Sequence, residues 1–330
     1  MKLTRVMAVL MVIAGSATCA AAVLAQAPDK AKWPSRLTFV TGPAGGFGFP
    51  TGSAWASAVG AEVGISISVE TTTGIQVNPL MIEDHKADAG LSAGDTSLES
   101  WNGADWTKGR QIRAQRVLAV LDPWVMQIYT TRKAGIATLA DISGKSVNPS
   151  RRRSWTDNIL RDMVETLGLK PGRISNVGPN DANTLLGDGR LDVAAVAGAI
   201  PHPAMSEFEV NHDMTLIPMS KAEQNKFLGR QKALFAYDIP ANSYKGQTNP
   251  IPTVASYNLY IVSRDLPDSL VYALVKATFA KKEQLSAAHK AFARMEAKNI
   301  VYATIPVHPG AVKFYEEQGI KLPDAIKPAK

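Results

Sequence analysis

The order of strand, loop and helix repeats along this chain, and that repeat restricts the possible folds more than any other feature of the sequence. The first pass predicts strands at 37–40, 65–70 and 88–92, separated by helices at 51–63 and 75–84. The second predicts strands at 145–148, 173–177 and 191–196 around helices at 155–167 and 181–186. Short apolar runs bounded by turn residues give the strands, and apolar residues at helical spacing give the helices. Each pass also carries one signature. His85-Lys86-Ala87-Asp88-Ala89-Gly90-Leu91 and Asp188-Gly189-Arg190-Leu191-Asp192-Val193-Ala194 both run from a helix end through a basic residue and an aspartate into an apolar strand. Strands that end in loops opening helices build a parallel sheet from βαβ units.

Two such units imply an α/β fold of two lobes with a cleft between them. Ligands of open parallel sheets sit beyond the carboxyl ends of the strands, so the loops of the two units are expected to face one another there. An apolar alternating stretch at 117–131, interrupted by Asp122-Pro123-Trp124, carries the chain to the second unit, and another at 254–262 returns it. The expected lobes are therefore 26–124 with 255–330, and 125–254, with C-terminal helices near 267–285, 287–298 and 309–318 packed on the first. Two crossing strands make such a molecule ready to hinge. The alternative is one contiguous α/β domain followed by a helical one.

Lys2 and Arg5, the apolar run from Val6 to Ile13 and small residues up to Ala25 make residues 1–25 an expected secretory signal, cleaved after Ala25, with the periplasm as destination. An uncleaved membrane anchor is the other possibility, but Gly15, Ser16 and Thr18 break the apolar stretch. The chain's one cysteine, Cys19, lies in this segment, so the mature protein is expected to carry no thiol, disulfide or Cys-ligated metal. Length, 330 residues, and 45% apolar composition suffice for two domains with separate cores. The formal charge of +7, lowered by two when Lys2 and Arg5 are removed, is spread along the chain without aromatic-interleaved basic stretches, which argues against nucleic acid.

The loops carry the candidate chemistry. In Thr41-Gly42-Pro43-Ala44-Gly45-Gly46-Phe47, the glycines Gly42, Gly45 and Gly46 let backbone N–H groups approach a ligand, and the helix that follows brings the positive end of its dipole, favouring an anion. The segment lacks the third glycine of a dinucleotide fingerprint, and a glycine-rich turn without a ligand is the plainer alternative. In the second unit Ser154 with Asp157 fits a capping box, which places Arg151-Arg152-Arg153 at the mouth of a helix beginning at Trp155. One or two of these arginines, with Arg152 and Arg153 as candidates, are expected to face the cleft and grip a carboxylate; solvated surface is the alternative. Thr73, Gly74 and Asn78 offer hydroxyl, backbone and amide partners. Ala93, Asp95 and Gly198 lie at the ends of the third strands, where Asp95 either meets a ligand ammonium or caps the helix near Thr96.

Enzyme signatures are missing. Gly144-Lys145-Ser146 lacks the earlier glycine of a phosphate-binding loop, since Leu139 stands there, and precedes a strand. His85, His202, His212, His289 and His308 have no metal-ligand spacing, and no Gly-x-Ser-x-Gly elbow occurs. No catalytic residue, metal or cofactor is expected.

Several short segments, in order, resemble the solute receptors of tripartite ATP-independent periplasmic (TRAP) transporters, specifically the TRAP-associated extracytoplasmic immunogenic (TAXI) proteins. They are Thr41-Gly42-Pro43-Ala44-Gly45-Gly46, Thr73-Gly74 with Asn78, Ala87 to Leu91 with Asp95, and Leu139 to Val147. Leu191-Asp192 with Gly198 and Pro201, Ile239-Pro240-Ala241 with Tyr244, and Pro306 with His308-Pro309-Gly310-Ala311 complete the series. The resemblance implies a two-lobed, type II periplasmic-binding-protein-like fold. It also implies a non-catalytic receptor, without cofactor, that hands a dicarboxylate, oxo acid or glutamate-like anion to the small and large membrane subunits, separate or fused, of a sodium-driven transporter. Its ligand loops map to residues 41–47, Thr73-Gly74 with Asn78, 93–95 and 151–155. This chain departs from the family pattern in two places. Arg151-Arg152-Arg153-Ser154-Trp155 replaces a small, glycine- and serine-rich loop, and Phe47 and Phe49 stand where tyrosines are common. A binding protein serving a sensor kinase or another transporter type, or an enzyme on the same scaffold, is the alternative function.

Overall fold

A computed structural model describes residues 30–42 and 47–328, the side chain of Asp105 apart. The expected leader, residues 1–25, lies outside the described residues.

The first unit runs β1 (Arg36–Val40), α1 (Gly48–Val63), β2 (Ser66–Glu70), α2 (Val77–Glu83), β3 (Ala89–Ala93) and α3 (Gly94–Asn102). β4 (Gln115–Thr131) leads out of it. The second unit then repeats the order with β5 (Ser146–Asn148), α4 (Trp155–Leu167), β6 (Arg173–Ile174), α5 (Pro179–Gly187) and β7 (Val193–Gly198). It adds α6 (Pro203–Asn211), β8 (Met214–Leu216), α7 (Lys221–Arg230) and β9 (Phe235–Ile239). β10 (Ile251–Ser263) brings the chain back, and α8 (Asp268–Ala280), α9 (Lys282–Ala288) and α10 (Pro309–Glu317) complete it.

The strand order β2-β1-β3-β10-β4-β7-β5-β6 makes the symmetry plain. In each unit the first strand lies between the second and third and runs parallel to both. The third strand then meets a crossing strand antiparallel, β3 on β10 and β7 on β4. β4 and β10 pair with each other along much of their length and join the lobes. The fold is thus two-lobed α/β of the type II periplasmic-binding-protein kind.

The repeated aspartate has a structural cause. Asp88 accepts a hydrogen bond from the backbone N–H of Thr38 in β1 at 2.8 Å, and Asp192 accepts one from Ser146 in β5 at 2.7 Å. In both lobes the residue that opens the third strand satisfies a backbone donor of the first strand, which pins their register.

Two expected boundaries moved. Asp122-Pro123-Trp124 does not interrupt the crossing strand. Pro123 lies opposite Tyr257, and the ladder then shifts register before Leu259 pairs with Val120, so the residue without a donor falls at a bulge. The expected helix at 287–298 is replaced by short 3-10 segments at Lys290–Phe292 and Ala297–Tyr302. His289 is extended there, and its Nδ1 accepts from the N–H of Ala291 at 3.2 Å, a side-chain cap that competes with helix continuation. The C-terminal helices pack on the first lobe. Trp55 of α1 donates to Thr278 of α8 at 2.8 Å, and Tyr315 of α10 donates to the carbonyl of Leu118 at 2.9 Å.

Candidate functional site

Four helices begin at one cavity between the lobes. It has a volume of about 530 Å³ and is lined by Gly48 of α1, Trp155 and Thr156 of α4, Pro179 to Asp181 of α5, and Pro203 and Ala204 of α6. The first turn of a helix has backbone N–H groups without intrahelical partners and the positive end of the dipole, so four such ends favour negative charge.

The loop before α4 adds full charges. Arg151, Arg152 and Arg153 are exposed and line the cavity. Among the described residues their guanidinium groups make no hydrogen bond or ion pair. Arg151 lies flat enough against Gly178 that a Cβ there would stand 3.1 Å from its Nη2. The loop is held in place by its backbone. Ser150 and Arg153 both have positive φ, 70° and 62°, a conformation that costs non-glycine residues energy and persists only when its surroundings fix it. Asp157, 3% exposed, does much of that fixing. Its carboxylate accepts from the N–H of Arg153 at 2.9 Å, from Arg161 Nε at 2.7 Å and from Asn176 Nδ2 at 3.0 Å. Half of the expected capping box is present, since Ser154 Oγ accepts from the N–H of Asp157, while the Asp157 carboxylate turns to Arg153.

Trp155, the first residue of α4, reaches across the cleft. Its Nε1 donates to both carboxylate oxygens of Asp95 in α3, at 3.0 and 2.9 Å, and Ser256 of β10 donates to the same carboxylate at 2.8 Å. Burial raises the pKa of Asp95, and the bonds from Trp155 and Ser256 pull it back. The Trp155 ring stacks on Trp124 of β4 with centroids 5.7 Å apart and planes 11° apart, and Phe47 packs on Trp124 at 5.5 Å. One aromatic row thus joins the mouth of α1, a crossing strand and the mouth of α4. Gly74 comes close to the arginine loop from the first lobe: a Cβ there would lie 3.4 Å from the Arg153 carbonyl.

Of the residues expected to touch a ligand, Gly42, Phe47, Gly74, Arg152, Arg153, Ser154 and Trp155 line this cavity. Gly45 and Gly46 lie outside the described residues. The others are placed elsewhere. Asn78 is buried behind the wall, with Nδ2 donating to the carbonyls of Leu91, at 2.7 Å, and Thr41, and Oδ1 accepting from Thr72 at 2.9 Å. Thr41 is buried and donates to the carbonyl of Glu70 at 3.1 Å, Thr73 is exposed away from the cavity, and Ala93 is buried at the start of α3. Asp95 engages Trp155. Gly198 lies beneath Trp124 and His202, with no share of the cavity surface.

Sequence inspection missed Trp124 and His202, which line the cavity beside apolar Ile75, Leu91, Val196 and Ala197. Trp124 Nε1 and His202 Nδ1 are buried and have no hydrogen-bond partner among the described residues. Burial pushes His202 down to about 4, so its ring is neutral at pH 7. The signal that could have found the mouths of α5 and α6 is a proline at the first helical position, in Gly178-Pro179 and His202-Pro203. A larger groove, about 960 Å³, includes Glu62, Lys276 and Lys313. It opens at the far end of α1, about 24 Å from the cleft along a helix of this length; α8 and α10 also begin there, but with the carboxylates of Glu62 and Asp268 among its lining. Among the described residues no cluster of His, Cys, Asp and Glu could hold a metal, and no helix is long and apolar enough to cross a membrane.

Known structures share this architecture. PhnD1 from Prochlorococcus marinus, solved in complex with methylphosphonate, matches with a TM-score of 0.52 at 10% identity, over 87% of this chain and 97% of its own. XAC2383 from Xanthomonas citri, solved with ATP, matches with a TM-score of 0.50 at 12% identity, over 86% and 95%. At these identities the likeness is one of fold. The molecule therefore has the periplasmic-binding-protein fold, with a cavity of ligand size between its lobes. The chain belongs to the NMT1-like family, whose model matches residues 39–319.

Proposed function

We propose that this protein is an exported, non-catalytic receptor that closes on a small organic anion and presents it to a sodium-driven TRAP transporter. The observation that carries the anion is the set of three guanidinium groups, without partners among the described residues, on a cavity where four helices begin. Charge-assisted bonds to guanidinium and backbone N–H are short and strong, and closure removes the competing water. Micromolar affinity corresponds to about −8 kcal/mol, within reach of several such bonds after the cost of closing the lobes. The basic and apolar N-terminal segment supports the periplasm as location, and the ordered TAXI-like segments support the TRAP partner. The residues proposed to hold the ligand are those that line the cavity, Arg152 and Arg153 foremost, with Gly45 and Gly46 joining from the first loop.

A thermal-shift screen of the mature protein against organic acids identifies a carboxylate that binds. Replacing Arg152 and Arg153 together by alanine is then expected to weaken it by about 100-fold or more, with little change in the melting temperature of the protein alone. Unaltered affinity by calorimetry contradicts the role. Conversion of the bound compound to another, followed by mass spectrometry, would instead favour an enzyme on this scaffold.

A further inference from the structure

Charge is distributed unevenly over the cavity surface. All three cations, Arg151, Arg152 and Arg153, belong to the loop before α4. Asp181, a carboxylate on the same cavity, stands three residues beyond the glycine on which Arg151 packs, so it too belongs to the arginine end. The polar Ser150, Ser154, Thr156 and Asn180 lie on or near the arginine loop and the α5 mouth, whereas Phe47, Ile75, Leu91, Trp124, Val196 and Ala197, from both lobes, make an apolar part of the lining. Two buried polar atoms there, Trp124 Nε1 and His202 Nδ1, are uncharged and have no partner among the described residues. A second carboxylate placed among these groups would lose its hydration and meet only the partial charges of the α1 and α6 mouths, with no cationic side chain in return, which is costly. An apolar body placed there gains roughly 25 cal/mol for each Å² it removes from water and meets aromatic faces.

From this partition, and resting on the anion-receptor function proposed above, we infer that the ligand is a monocarboxylate with one anionic head at the arginine loop and an apolar body against Phe47, Trp124 and Val196. This separates the chain from the dicarboxylates and glutamate-like compounds that its sequence resemblance implies. A body with one hydroxyl or carbonyl group is compatible, because Trp124 Nε1 offers a neutral donor.

Calorimetric titration of the mature protein with benzoate, hexanoate, succinate and glutamate tests the inference. Benzoate and hexanoate are expected to bind at least about tenfold more tightly than succinate and glutamate. Succinate or glutamate binding as tightly as either monoacid overturns the monocarboxylate assignment and leaves the anion receptor standing. Heat from none of the four overturns both. Phe47→Ala, at the border of α1, is expected to weaken benzoate by about tenfold, and unchanged benzoate affinity removes the apolar wall from recognition.

Discussion

Glu99 shows how single residues respond to the meeting of the lobes. Burial pushes its carboxyl up from 4.5 to about 7, the charges of Asp95 and Asp162 add to the shift, and a bond donated by Trp106 opposes it. Asp162 belongs to α4 of the other lobe and is itself raised, chiefly by burial. The folded protein therefore holds the Glu99 proton more tightly than the unfolded chain. The resulting stabilisation is complete below about pH 4.5 and is lost as the pH rises through about 7. The loss is on the order of 2 kcal/mol once screening at this partly exposed group is allowed for. Glu99→Gln, which cannot ionise, is expected to match the native protein in urea unfolding at pH 4.5 and to exceed it at pH 8. A variant less stable than the native protein at pH 8 contradicts the assignment. Asp95, only four residues earlier, illustrates what sequence could not supply. Its chemistry suits a ligand ammonium or a helix cap equally well, and only the fold brings Trp155 to it from the other lobe.

At the scale of elements, most of both βαβ units was legible, because buried strands are continuous apolar runs and α4 has clear amphipathic spacing. What stayed hidden is buried polarity. The first turn of α3, Gly94-Asp95-Thr96-Ser97, is fully inside, where Ser97 donates to Ser92 at 2.8 Å, so the helix expected near Thr96 shows no apolar period that would mark its buried face. β8 and β9 are short strands, and β9 alternates exposed and half-buried residues along much of its length. The end of the expected helix at 287–298 was set by a histidine cap that spacing does not report. The packing of α10 on α8 makes its own prediction. A Cβ on Gly310 would run into the carbonyl of Asp268, with the carbonyl carbon 2.9 Å away, so Gly310→Ala forces the two helices apart. A loss of about 3 kcal/mol is expected, the upper range for overpacking, and unchanged urea unfolding contradicts this packing.

The whole molecule behaves as two similar bodies strung on β4 and β10, with the ligand surface assembled from both. Sequence pointed correctly to a pair of facing loop sets because βαβ order fixes where loops emerge. It did not point to Trp124, which sits in what looked like a strand break, or to His202, because their place depends on the relative position of the lobes. The cleft unites Phe47 and Gly74 from one side with the arginine loop and Trp155 from the other. The proposed function requires that an organic anion is held in that cleft with its charge on the arginine loop. In crystals grown with 4-bromobenzoate the anomalous signal locates the bromine, and the electron density then places the carboxylate. The carboxylate is expected at Arg152 and Arg153 and the bromine toward Trp124 and Val196; a bromine signal in the groove beside Lys276 and Lys313, or a carboxylate turned toward Trp124, rules this placement out.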